Sequence, residues 1–149
     1  MELITKGARK TQEFGAKVAA DIVSGRLSNT IALSGELGSG KTTFVQGLAK
    51  GLGIAGRIIS PTFIIVRKYP IGPKDKSLKF KDFYHVDLYR LEGELDKEVF
   101  NLGLPYAWSE PENIIVIEWA EKIQSLIPSG ATWIKFEDVG EDERKIEIK

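Results

Sequence analysis

Eight consecutive residues, Gly35-Glu36-Leu37-Gly38-Ser39-Gly40-Lys41-Thr42, match the pattern G-x-x-x-x-G-K-[ST] at every fixed position. The chemistry that this spacing allows is the cradling of a phosphate. A loop that wraps an anion must turn successive backbone N–H groups inward, which calls for glycine's tolerance of positive φ. Lys41 follows as a mobile cation able to span two phosphates, and the Thr42 hydroxyl can ligand a divalent cation. A helix that begins there points its positive end at the same anion. A chance match somewhere in a chain of this length has odds of roughly half a percent.

Phosphate chemistry at such a P-loop also needs an acid on a neighbouring strand to hold or order a metal. The apolar run Ile114-Ile115-Val116-Ile117 ends in Glu118. That acid therefore emerges at the C-terminal end of a buried strand, where ligands of open α/β sheets bind. A glutamate there can reach a metal-bound water or act as base on an attacking water. Asp87, closing Phe83–Asp87, is a second acid of this kind, and a salt bridge to Arg90 is its plainer reading. In Ser60-Pro61-Thr62, Pro61 fixes the backbone beside Thr62. That hydroxyl either senses a terminal phosphate or cation, as switch threonines do, or belongs to a turn before a strand.

The elements that must position these groups alternate in type. Phe14, Val18 and Ile22 recur every four residues and predict a helix over 7–24, which Ser24-Gly25 ends. Residues 30–34 (TIALS) predict a buried strand. Helical spacing returns over 42–52 through Phe44, Leu48 and Leu52, closed by Gly51 and Gly53. Further strands are expected over 58–68, 83–87, 114–119, 133–137 and 145–149, with helices over 95–102 and 120–126. Apolar strands alternating with amphipathic helices imply an α/β protein, a mostly parallel sheet covered on both faces.

Composition sets the outer bounds. The 149 residues suit one domain, 1–149. Lys+Arg and Asp+Glu are both 21, so the formal net charge is zero, which excludes a nucleic-acid binder that is basic throughout. With no cysteine, disulfide frameworks, thiolate zinc sites and a cysteine nucleophile are excluded. The N-terminal residues show no apolar signal core, and no run reaches about 18 apolar residues. A soluble chain with a cytoplasmic address is expected. Residues 67–82 carry Arg67, Lys68, Lys74, Lys76, Lys79 and Lys81 against Asp75 and Asp82, while residues 137–143 are acidic. Both runs read either as solvated loops or as docking surfaces for RNA or protein.

The guanine signatures N-K-x-D and D-x-x-G do not occur. The six arginines, Arg9, Arg26, Arg57, Arg67, Arg90 and Arg144, are scattered, unlike those of a kinase lid. An ATPase acting on or through a partner leads this reading. A small-molecule kinase and a nucleotide-gated binding module are the alternatives, and the pair of acids Asp87 and Glu118 argues against the latter.

Five segments, taken in order, carry a family resemblance. They are Thr11-Gln12-Glu13-Phe14-Gly15, Gly35 through Thr43, Ser60-Pro61-Thr62-Phe63 with Tyr69, His85-Val86-Asp87-Leu88-Tyr89-Arg90-Leu91, and Ile117-Glu118-Trp119-Ala120-Glu121. Together they resemble the TsaE (YjeE) family of bacterial P-loop ATPases of tRNA modification, over about residues 5–125. Ser39 stands where alanine is commoner, and Ala120 where proline is.

The resemblance implies a P-loop NTPase-like three-layer sandwich. It implies ATP and Mg²⁺ as ligands, held through Thr11, Glu36, Leu37, Gly38, Ser39, Gly40, Lys41, Thr42 and Thr43. It makes Glu118 the metal-side acid with Thr42, Asp87 the second active-site acid and Thr62 the switch residue. It also implies partnership with the TsaB–TsaD pair, which places threonylcarbamoyl on adenosine beside the anticodon and which the ATPase resets between rounds. Transfer RNA would be met indirectly or through the basic 67–82 segment.

Overall fold

The apolar stripe Phe14, Val18 and Ile22 is buried on the inner face of a helix, α1 (Gly7–Val23). The computed structural model describes residues 1–54, 58, 66–71 and 79–149. α1 stops because Gly25 turns left-handed, φ 81°. Its N–H then bonds the Ile22 carbonyl at 3.1 Å, and the Arg26 N–H reaches Asp21 at 2.8 Å. This pair of bonds satisfies carbonyls the helix leaves open. The second helix, α2 (Lys41–Gly51), ends the same way at Gly53, with bonds from Gly53 to Lys50 and from Ile54 to Ala49.

The strands are β1 (Glu2–Lys6), β2 (Thr30–Ser34), β3 (Val66–Pro70), β4 (Asp82–Asp87), β5 (Asn113–Glu118), β6 (Thr132–Gly140) and β7 (Glu143–Ile148). They form one sheet in the order β1-β7-β6-β2-β5-β4-β3. The centre, β6-β2-β5-β4, is parallel, and the margins pair antiparallel. β2 and β5 read as unbroken apolar runs because helices cover both of their faces. On one face α1 and α2 pack with Phe44, Leu48, Ile31, Leu33 and Phe136 into one core. On the other, α3 (Leu95–Asn101), α4 (Leu104–Ser109) and a 3-10 helix (Ala120–Leu126) pack over Ile115, Ile117 and Val86. The expected α/β class and helical cover on both faces are what the chain adopts.

Three differences from the sequence reading have physical causes. β1 was not expected: it is an edge strand with one buried residue, Thr5, and exists by pairing with β7. α4 spans six residues with Pro105 in its first turn, too short for a helical period to show. Residues 120–126 are two 3-10 turns rather than one helix, broken at Ile123, whose φ of −130° leaves the helical region, and they follow Trp119 in a left-handed φ of 62°.

Glycines let α1 and α2 approach. A Cβ on Gly47 would lie 2.1 Å from the Gln12 carbonyl oxygen, and one on Gly15 2.3 Å from that of Phe44. The Gly15 of the first motif is therefore a packing residue. This close crossing brings the N-terminal half of α1, with Thr11, beside the start of α2.

Candidate functional site

β2, β5 and β4 end side by side. The parallel register pairs Leu33 with Glu118 and Glu118 with Asp87. The glycine loop leaves the end of β2, and both acids leave the ends of its neighbours. All three face the crevice beyond the strand C-termini.

The loop's shape follows from its glycines. Gly35, Gly38 and Gly40 have φ of 136°, 78° and 103°. At Gly35 a Cβ would also meet the Phe136 carbonyl oxygen at 2.4 Å. Leu37 at the tip is exposed, while Ser39 is buried and its Oγ has no hydrogen-bond partner among the described residues. Gly40 caps α2, its carbonyl accepting the Phe44 N–H at 3.0 Å.

Lys41 is buried. Its Nζ donates to the carbonyls of Gly35 and, at 3.1 Å, Glu36. It also stands 3.9 Å from the centroid of the Trp119 ring, a cation–π contact. Burial lowers the Lys41 pKa, against the opposing pull of Glu118, Glu121, Asp87 and Glu36. Glu36 thus meets the site through its backbone.

Glu118 is buried, and its two oxygens divide. Oε1 accepts from the Thr42 hydroxyl at 3.3 Å, and Oε2 lies 2.5 Å from His85 Nε2. Asp87 is also buried, and its Oδ1 accepts the Tyr89 N–H at 2.9 Å. Burial raises the Asp87 pKa, and the nearby Glu118 charge adds to the rise. Glu121 Oε2 accepts the Gly35 N–H at 3.3 Å, and desolvation raises its pKa too.

A cleft of about 320 Å³ opens here, lined among these groups by Lys41, Thr42, Asp87, Tyr89, Glu118 and Trp119. Thr11 lines it from α1, with its Oγ1 2.8 Å from Thr5 Oγ1. Leu37 through Thr43, Asp87 and Glu118 line it as well. The site residues read from the sequence therefore meet at this cleft, except Glu36, which touches it only through its carbonyl to Lys41, and Thr62, which lies outside the described residues.

Sequence reasoning gave no role to His85, Glu121, Tyr89, Asp142 or Arg144. Tyr89 and Trp119 form a tilted ring pair at 5.2 Å. Asp142 and Arg144 enter the cleft from the β6–β7 hairpin, so part of the acidic 137–143 run belongs to the site. The Asp142 carbonyl accepts the Gly7 N–H at 2.8 Å. Arg144, one of the scattered arginines, pairs with Asp138 at 3.2 Å and lies against Gly40. His85, Tyr89 and Glu121 do belong to segments that carried the resemblance, and that was their one signal. Asp142 was marked only as part of the acidic 137–143 run and Arg144 only as one of the scattered arginines, and neither pointed to this cleft.

A glycine loop joining a central parallel strand to the N-terminus of a helix makes this a P-loop protein of the α/β class. A family model, "Threonylcarbamoyl adenosine biosynthesis protein TsaE", matches residues 5–146. A tRNA threonylcarbamoyladenosine biosynthesis protein TsaE from Streptomyces coelicolor is 42% identical over 119 residues, 77% of this chain and 71% of that one. One from Treponema pallidum is 31% identical over 148 residues, 99% of each chain. The crystal structure of Bacillus subtilis YdiB superposes with a TM-score of 0.70 at 29% identity, covering 98% of this chain and 82% of that one. The chain belongs to the TsaE family, whose role lies in the biosynthesis of threonylcarbamoyladenosine in tRNA. No helix among the described residues is long and apolar enough to cross a membrane.

Proposed function

We propose that this chain is a Mg²⁺-dependent ATPase, one cytoplasmic domain over 1–149, that supports turnover of the TsaB–TsaD pair in tRNA threonylcarbamoyladenosine synthesis. The observation that carries this reading is the meeting of Thr42 Oγ1 and Glu118 Oε1 at 3.3 Å at the mouth of the loop. A hydroxyl and a carboxylate are hard oxygen donors, the kind Mg²⁺ takes. No group of three or more His, Cys, Asp or Glu side chains among the described residues could hold a metal. Nucleotide phosphates and water would therefore complete the coordination, as is usual for Mg²⁺.

The proposed roles follow from position. The loop amides of Glu36 through Thr43 and the N-terminus of α2 cradle the phosphates. Lys41 spans the β- and γ-phosphates, Thr42 and Glu118 hold the ion, and Thr11 borders the nucleotide. Bound there with ATP, Mg²⁺ would neutralise charge developing on the phosphoryl oxygens. Asp87 or Glu118 orders the attacking water, and Thr62 serves as the switch residue.

Lys41 contacts the loop's own carbonyls and Trp119, and must leave them to reach a phosphate. That supports a slow basal rate raised by a partner. The test is steady-state ATP hydrolysis by the purified chain, alone and with TsaB–TsaD. A low rate that rises with the pair is expected. ATP binding without turnover in either condition would leave a nucleotide-gated binding module and remove the catalytic roles.

A further inference from the structure

We propose that His85 is a positioning residue that aims Glu118 at Thr42 and the phosphate site, an inference that rests on the Mg²⁺-dependent reading above. Glu118 Oε2 lies 2.5 Å from His85 Nε2, while Oε1 faces Thr42 Oγ1 at 3.3 Å. A carboxylate on a flexible side chain keeps such a division of labour only if one oxygen is held. His85 is suited to hold it. The residue has no exposed surface. Its backbone lies in a central strand, paired with Arg67 on β3 and Val116 on β5. Its ring stacks on Phe83 with centroids 6.5 Å apart and planes 12° from parallel. A ring so enclosed has little rotamer freedom, so its Nε2 is a fixed point.

The other ring nitrogen sharpens the assignment. His85 Nδ1 is buried and has no hydrogen-bond partner among the described residues. The polar partner of the imidazole among those residues is therefore Glu118. The tautomer with its proton on Nε2 makes that hydrogen bond and places no N–H on the unpartnered Nδ1. A ring needed for volume alone, beside Phe83, would be served as well by phenylalanine. The feature left to explain is a donor trained on a carboxylate, the arrangement by which outer groups fix metal-binding side chains.

Two variants of the full chain separate donor from bulk. His85→Gln keeps an N–H donor at the end of the side chain, and His85→Met, of similar length and shape, keeps none. The readouts are the Mg²⁺ concentration at half-change in tryptophan fluorescence at fixed ATP, ATP affinity in EDTA, and kcat and KM for hydrolysis with TsaB–TsaD. His85→Met is expected to raise the Mg²⁺ midpoint about 10–100-fold and lower kcat by a similar factor. Its KM and its ATP affinity in EDTA are expected to stay within about twofold of the parent, and His85→Gln to recover most of both losses. Should His85→Met not fold, His85→Phe, which keeps the stack on Phe83, replaces it under the same criteria.

A donorless variant with the parent's Mg²⁺ midpoint overturns the proposal. So does a folded His85→Gln protein as impaired as the donorless one, since bulk and not the donor would then matter. A parent chain that responds to ATP identically with and without Mg²⁺ overturns the metal-binding reading of Glu118 itself, an outcome distinct from a responsive parent with an equally responsive variant.

Discussion

Thr42 Oγ1 and Glu118 Oε1 stand 3.3 Å apart although 76 positions of sequence separate them. One lies in the first turn of the helix that follows the glycine loop, and the other ends the strand beside it. Their meeting sets a hydroxyl and a carboxylate, two hard oxygen donors, beside the glycine loop.

Lys41→Ala and Glu118→Ala are each expected to lower ATP turnover at least about 100-fold, the usual cost of removing charge stabilisation at a reacting centre. Single-turnover hydrolysis with the TsaB–TsaD pair measures it. Parent-rate hydrolysis by Glu118→Ala would remove that acid from the mechanism.

ATP binding should change intrinsic tryptophan fluorescence. Lys41 Nζ lies 3.9 Å from the Trp119 ring centroid, and drawing the ammonium toward phosphate alters the charge felt by the indole. Trp108 and Trp133 pack against the core on the same side of the sheet as Trp119. Trp119→Phe should therefore abolish the nucleotide-dependent change while leaving background emission. A change that survives in Trp119→Phe would assign the signal to those two residues.

Asp87→Asn should trade activity for stability. Burial raises the folded-state pKa of Asp87. Between its unfolded and folded pKa values the native state binds more protons than the unfolded chain, so this group's contribution to stability falls as pH rises through that window. The asparagine variant should therefore melt higher than the parent at neutral pH, by on the order of 2 °C. The gap should shrink below the carboxylate range, with turnover lost throughout. Thermal melts at a series of pH values check the sign, and a variant that melts lower at pH 7 than at pH 4 relative to the parent contradicts it.

Gly47→Ala should destabilise the fold by about 1–3 kcal/mol, because the added methyl meets the Gln12 backbone and must push α1 from α2. Gly130→Ala, with open space around it, is the control and should stay within about 0.5 kcal/mol. Denaturant unfolding of the three proteins compares them, and equal midpoints would mean that the helix pair yields without cost.

If the basic segment meets tRNA, log affinity should fall linearly with log salt. Neutralising Lys74, Lys76, Lys79 and Lys81 together should flatten that slope by up to about 0.9 for each phosphate these lysines had neutralised. An unchanged slope would leave the segment as a solvated loop.

What was legible in the sequence was local. The glycine loop is read from eight adjacent residues because its conformation depends on glycines that turn left-handed within it. The buried strands announced themselves as apolar runs, and Glu118 and Asp87 by closing such runs. α1 and α2 appeared through periods that their own backbones impose. β1 and α4 did not appear, since an edge strand with one buried residue and a six-residue helix carry almost no periodic signal. The side-by-side alignment of Leu33, Glu118 and Asp87 was decided by strand order and register. So was the reach of His85 to Glu118, of Glu121 to Gly35 and of Arg144 to Gly40. These partners are brought together by hydrogen bonds between strands and by packing across the sheet. Residue type and spacing told which groups could do phosphate chemistry; the register of the sheet alone decided which of them face one another.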